Sequence, residues 1–320
     1  MGTVGYDDVA QSVGRFEEIL TGYGIHIAVG SELERICHDL LRLDDIMTRK
    51  EAKPNSDIRS FFADAMGVYD IVYRVVASRT HPSFSNLLPH LRLLNKANPS
   101  QATPTVVHDQ SQTKLFELFV ALVLMRIGTN VRLDDPLKSS GGRNPDVLGT
   151  FNGHEWGFAC KTVFSKAPRT LYEAFAKGCD QITKSAADLG VVIFSLKNLI
   201  PIERIWRTLD GSPGGDDDPR KYVTYPTVVA ADLVMAEVVS RFAEDFRTGA
   251  SDDEWRTLLN SHKRVVPALL FSWNVAAPVS TANGPTPTIV RTLRVGRVLE
   301  VGKRGRVLFK AMNKAIGLDC

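Results

Sequence analysis

Three ionisable residues stand where charge is costly. In GGRNPDVLGTFNGHEWGFACKTV, residues 141–163, Asp146 follows Pro145 at the head of one apolar run, and Lys161 interrupts the next. Upstream, Glu117 is the one acid in LFELFVALVLM, residues 115–125. An ionised carboxylate buried in such a segment is expensive unless it is paired or bound to a metal. For Glu117 the plain alternatives are an i−3 pair with Lys114 or a partly exposed helix edge. For Lys161 the alternative is a strand end where the stem lies on apolar surface and the ammonium reaches water.

Strand alternation sorts the residues around the lysine. Period two puts Glu155, Gly157, Ala159 and Lys161 on one face and Trp156, Phe158, Cys160 and Thr162 on the other. The second set reads as the core face. The first is bare, with small residues leading up to a lysine, the pattern of a strand that something approaches closely.

The elements that carry these residues follow from periodicity and turn chemistry. Residues 1–105 read as a helical N-terminal region, with a capping box at Ser31-Glu-Leu-Glu34, a second helix over 58–76 and a short one over 87–94. Residues 98–104, with two prolines and no large apolar side chain, read as a linker or boundary. From 106 to 320 the pattern changes. An apolar helix over 114–127 precedes strands over 131–133, 146–151 and 155–164, the last two joined by Asn152-Gly153, a strong hairpin signal. A helix over 170–189 and a buried strand over 190–196 complete an α/β layer with a mixed central sheet. Beyond it, helices are expected over 229–246, 252–259 and 307–316, strands over 265–273 and 288–301, and loops over 211–219 and 276–287.

Composition bounds the function classes. A chain of 320 residues, 44% hydrophobic and 23% charged, is an ordinary globular protein of one large or two domains. The net charge of +3 permits a nucleic-acid partner without requiring one. Four scattered cysteines with no CxxC spacing argue against a zinc site and fit a reducing cytoplasm. The N-terminus lacks a secretory pattern, and no apolar run is long enough for a membrane span. A Walker-type phosphate loop, a GxSxG elbow and paired histidines are all missing, which removes the usual signatures of ATP hydrolysis and acyl transfer.

The block from Lys114 to Leu196 resembles the PD-(D/E)xK nuclease superfamily, the restriction-endonuclease-like fold. The expected order, αβββαβ, is that family's core order. Pro145-Asp146 matches its first motif, Lys161 its lysine, and Glu117 the glutamate many members carry on the first helix. Gln181 matches a glutamine often found on the helix after the lysine. The resemblance implies a Mg²⁺- or Mn²⁺-dependent endonuclease, acting on double-stranded DNA, with a role in restriction or anti-phage defence. In such a site Asp146 and Glu117 are metal ligands, the Cys160 carbonyl adds one, and Lys161 supports the nucleophile and the charge on the phosphate.

One position departs from the motif. Ala159 stands where the family carries Asp or Glu, and a methyl group cannot coordinate a cation. Three readings follow: an acid deliberately replaced so that bound DNA survives, a member that binds without cutting, or an acid that has moved. Glu155 shares the face but lies about 13 Å along the strand, too far for direct replacement, which leaves Glu117 as the better compensating acid. A catalytically silent DNA-binding or assembly module is therefore the alternative function.

Other residues extend the expected DNA footprint. Ser140 and Arg143 lie in the Gly/Ser loop before Asp146, which reads either as a phosphate nest or as a flexible turn. Lys166 and Arg169 follow the lysine strand. Arg294, Arg297 and Arg304 belong to the basic stretch 291–306, either a duplex-backbone surface or a solvated face. Asp216, Asp217 and Asp218 read as a solvated loop. The N-terminal helices offer a surface for a homo-oligomer or a defence-system protein partner.

Overall fold

The computed structural model describes residues 6–43, 58–104, 110–136, 144–200, 202–211, 221–282 and 284–317, and it places helices on both faces of one mixed sheet. The main helices are α1 (Tyr6–Gly22), α2 (Glu32–Leu41), α3 (Ile58–Ser78), α4 (Gln110–Met125), α5 (Pro168–Lys184), α6 (Val228–Arg247), α7 (Asp252–Ser261) and α8 (Lys303–Ile316). The strands are β1 (Thr129–Leu133), β2 (Val147–Phe151), β3 (His154–Thr162), β4 (Leu189–Ser195), β5 (Val265–Thr281) and β6 (Gly284–Arg297), side by side in chain order. Neighbours are antiparallel except β3–β4 and β4–β5, which are parallel.

Local signals explain the central elements. Asn152 and Gly153 adopt φ of 50° and 76°, the left-handed backbone of a two-residue turn, and so lock β2 to β3 with Val147 opposite Phe158. Ser31 caps α2 by accepting the Glu34 amide, while the Glu34 carboxylate reaches the Gly30 amide. Pro168 starts α5, where its missing N–H is harmless. The apolar girth of α4 is explained by its place between the sheet and the N-terminal helices, all within one core.

Both faces of the sheet are core. Trp156, Phe158 and Cys160 face α4, while Ala159 faces α5 within a second cluster. The small residues of the bare face admit a helix and a loop. A Cβ at Gly157 would stand 2.8 Å from Pro145, and one at Gly178 of α5 would stand 3.2 Å from the Ala159 methyl.

The structure corrects three local expectations. Residues 98–104 are packed as well as proline-rich: Ser100 is buried, its hydroxyl donates to Ala63 O, and Lys197 Nζ reaches Ser100 O. The expected loop at 276–287 is largely the end of a long hairpin. Beyond Ser272 strand β5 has no β4 partner, so prolines 278, 285 and 287 sit in a two-stranded ribbon in which each strand has one ladder neighbour and a missing N–H is tolerated, and Tyr225 bridges to Val279 along the outer side of β5. In the basic stretch, β6 ends at Arg297 and α8 begins at Lys303, and Arg291 is buried against Asp70 instead of facing solvent.

Candidate functional site

The antiparallel register places Asp146, just before β2, beside the carboxyl end of β3. Its Oδ2 accepts the Cys160 amide at 2.7 Å and lies 3.8 Å from Lys161 Nζ. Lys161 in turn donates to Gln181 Oε1 on α5 at 2.6 Å. Asp146, Lys161 and Gln181 thus form one connected set at the end of the parallel strands β3 and β4.

Glu117 approaches from α4. It is buried, with Lys114 Nζ 2.9 Å from Oε1 and His90 Nε2 3.2 Å from Oε2. The i−3 pair with Lys114 is therefore realised. Burial pushes the Glu117 carboxyl up to about 7, against the lowering pull of Lys114 and Lys161. Burial also raises Asp146 to about 6, helped by the charge of Glu117 and opposed by Lys161 and the Cys160 amide. Burial holds the His90 imidazole down at about 4, so it is neutral at pH 7. The Cys160 thiol is fully buried and far above its ordinary range for the same reason; it is an inert core group.

Two features escape a reading of the sequence. His90, which holds Glu117, lies on a short helical segment of the N-terminal region and carries no local signal. Asp134 and Asp135, directly after β1, add negative charge here: Asp134 helps raise Glu117, and both act on His90. Their signal was available in the acidic pair that ends the first strand, RLDDP.

The donor set decides whether a divalent cation fits. Mg²⁺ and Mn²⁺ require hard anionic oxygens aimed at one point with room left for water. Here Asp146 Oδ2 is committed to an amide and faces a lysine, and both Glu117 oxygens are committed to Lys114 and His90. Ala159 offers a methyl, fully buried against α5. Among the described residues, no three His, Cys, Asp or Glu side chains gather in a way that could hold a metal ion. The described residues as they stand do not fit the ion, because each carboxylate already has a lysine counter-charge. Glu155 does not compensate: it pairs with Arg132 at the other end of β3.

The expected DNA contacts are dispersed. Ser140, Arg143 and the acids 216–218 lie outside the described residues. Lys166 is exposed after β3. Arg169 is exposed but engaged, 2.8 Å from Glu254 and stacked over Tyr172. Arg294 is exposed and pairs with Asp232 at 2.8 Å. Arg297 pairs through its backbone with Ala268, and Arg304 is exposed in the first turn of α8. Among the described residues, no helix is long and apolar enough to cross a membrane.

Comparison with known proteins gives no match to a family model, to a curated sequence or to a solved structure.

Proposed function

We propose that this chain is a DNA endonuclease of the PD-(D/E)xK type that is one carboxylate short at Ala159, and so engages DNA while cutting it poorly. The observation that carries the reading is the approach of Asp146 to Lys161, 3.8 Å apart on hairpin-linked strands, with Gln181 tethering the lysine from the following helix. The order helix, three strands, helix, strand from α4 to β4 supports it as well. In this reading the Lys161 ammonium faces the scissile phosphate and stabilises the charge that builds on it. Gln181 fixes where that ammonium points. Asp146 would supply one anionic oxygen toward Mg²⁺ or Mn²⁺, and an acid at 159, on the same face as Lys161, would supply a second. A role in restriction or anti-phage defence rests on the family resemblance alone.

A second reading, a silent DNA-binding or assembly module, is favoured by one observation: the lysines already neutralise both carboxylates. Ala159→Glu and Ala159→Asp separate the two. The endonuclease reading expects plasmid nicking with Mg²⁺ or Mn²⁺ from at least one folded variant. If folded variants bind duplex DNA as the parent does and leave plasmid intact, the silent module stands.

A further inference from the structure

We infer that the cavity beyond the carboxyl ends of β3 and β4 binds a single nucleotide of a DNA strand, base inward and phosphate at the mouth. This rests on the DNA reading above and gives it a subsite. The cavity measures about 340 Å³ and opens between the segments that follow β3 and β4 and one face of α6. Leu199, Ile200 and Phe242 supply apolar surface, and Lys166, Arg204 and Arg241 supply cationic groups. Among the described residues Asp245 is the one acid lining it. Arg241 is held by Glu237, whereas among the described residues no acid engages Lys166 or Arg204.

Three features select the occupant. The size is that of a small-molecule pocket. Apolar walls with an aromatic ring suit the flat face of a base, and a base turned out of a duplex is read by this kind of packing. Exposed lysine and arginine at the mouth suit the phosphate attached to it. Position adds to this, because open α/β sheets bind ligands beyond the carboxyl ends of their strands. Lys161 lies on β3 at that same end, and Lys166 is on the segment that leaves it. A strand held by Lys161 therefore passes near the cavity.

The experiment uses the full chain and two probes. The first is a duplex carrying one 2-aminopurine, whose emission rises when the base leaves the stack, read at saturating protein and low salt. The second is deoxynucleoside monophosphate binding by calorimetry. Emission is expected to rise, and Leu199→Trp, which fills the cavity, should abolish both signals. Lys166→Ala with Arg204→Ala alters only exposed cations and should weaken monophosphate binding by roughly tenfold, the worth of one charge-assisted hydrogen bond. The pocket is overturned if neither signal appears, or if both survive in folded Leu199→Trp and in the double variant. Duplex binding without either signal removes the pocket and leaves the DNA reading. Monophosphate binding that the variants weaken, without duplex binding, keeps the pocket and removes that reading.

Discussion

Lys161 Nζ lies 3.8 Å from Asp146 Oδ2 and donates to Gln181 Oε1 at 2.6 Å, so one ammonium joins the strand hairpin to α5. Made in an Ala159→Glu chain that cuts, Lys161→Ala should lower single-turnover cleavage by on the order of 10²–10³, the usual loss when one charge-stabilising donor is removed. Gln181→Ala leaves the ammonium in place but free to swing, and should cost less. Equal cleavage by Lys161→Ala and its parent would remove the lysine from the chemistry.

The raised carboxyls make stability depend on pH in a specific direction. Glu117 titrates at about 7 and Asp146 at about 6, so the folded chain retains protons that the unfolded chain has released. Their contribution is greatest below the unfolded carboxyl pKa and declines as pH rises through about 6 to 7. His90, held at about 4, acts oppositely between there and its ordinary value near 6.5. Comparison with Glu117→Gln isolates the glutamate. The variant should gain on the parent between about pH 5 and 8 by on the order of 2–3 kcal/mol, read from urea midpoints. A difference that does not vary with pH would mean Glu117 titrates normally.

The legible part of this molecule is its local part. Asp146 and Lys161 can be paired from sequence because Asn152-Gly153 fixes the turn, the turn fixes the register, and alternation fixes the face. The core elements follow from periodicity for the same reason. What escapes is set by distant packing. The bare face of β3 announces a close approach, but only the fold shows that α5 and Pro145 make it. Arg291 reads as a surface charge until Asp70, far up the chain, appears beside it. The prolines of the β5–β6 ribbon read as loop because which strand edges go without a ladder neighbour is a property of the whole sheet.

The close seating of α5 on the sheet gives a third prediction. A Cβ at Gly190 would stand 2.8 Å from Gly157 O and closer still to the Ile182 side chain. The first obstacle is strand backbone, which cannot swing aside. Gly190→Ala should therefore destabilise the chain by about 1–3 kcal/mol, the range for overpacking a dense core. Thermal and urea unfolding measure it. A neutral result would mean that α5 can lift, and with it the Gln181 tether.

Asp70 is the acid that holds two buried arginines together. It is fully buried on α3, with Arg74 Nε at 2.9 Å and Arg291 Nε at 2.7 Å. Arg74 also donates to Ile316 O at 2.6 Å, so the cluster ties α3 to the β6 strand and to the end of α8. Two guanidinium groups share one carboxylate, and burial is the main reason Arg74 is held down at about 10. Removing the acid leaves both arginines buried without their counter-charge. Asp70→Ala should cost about 3–5 kcal/mol, and the loss should persist in high salt because buried charges are little screened. The exposed Arg241–Glu237 pair provides the contrast: its removal should cost under about 1 kcal/mol, and salt should erase it. A loss for Asp70→Ala as small as that of the surface pair would show that the N-terminal helix is anchored to the sheet by its apolar residues alone.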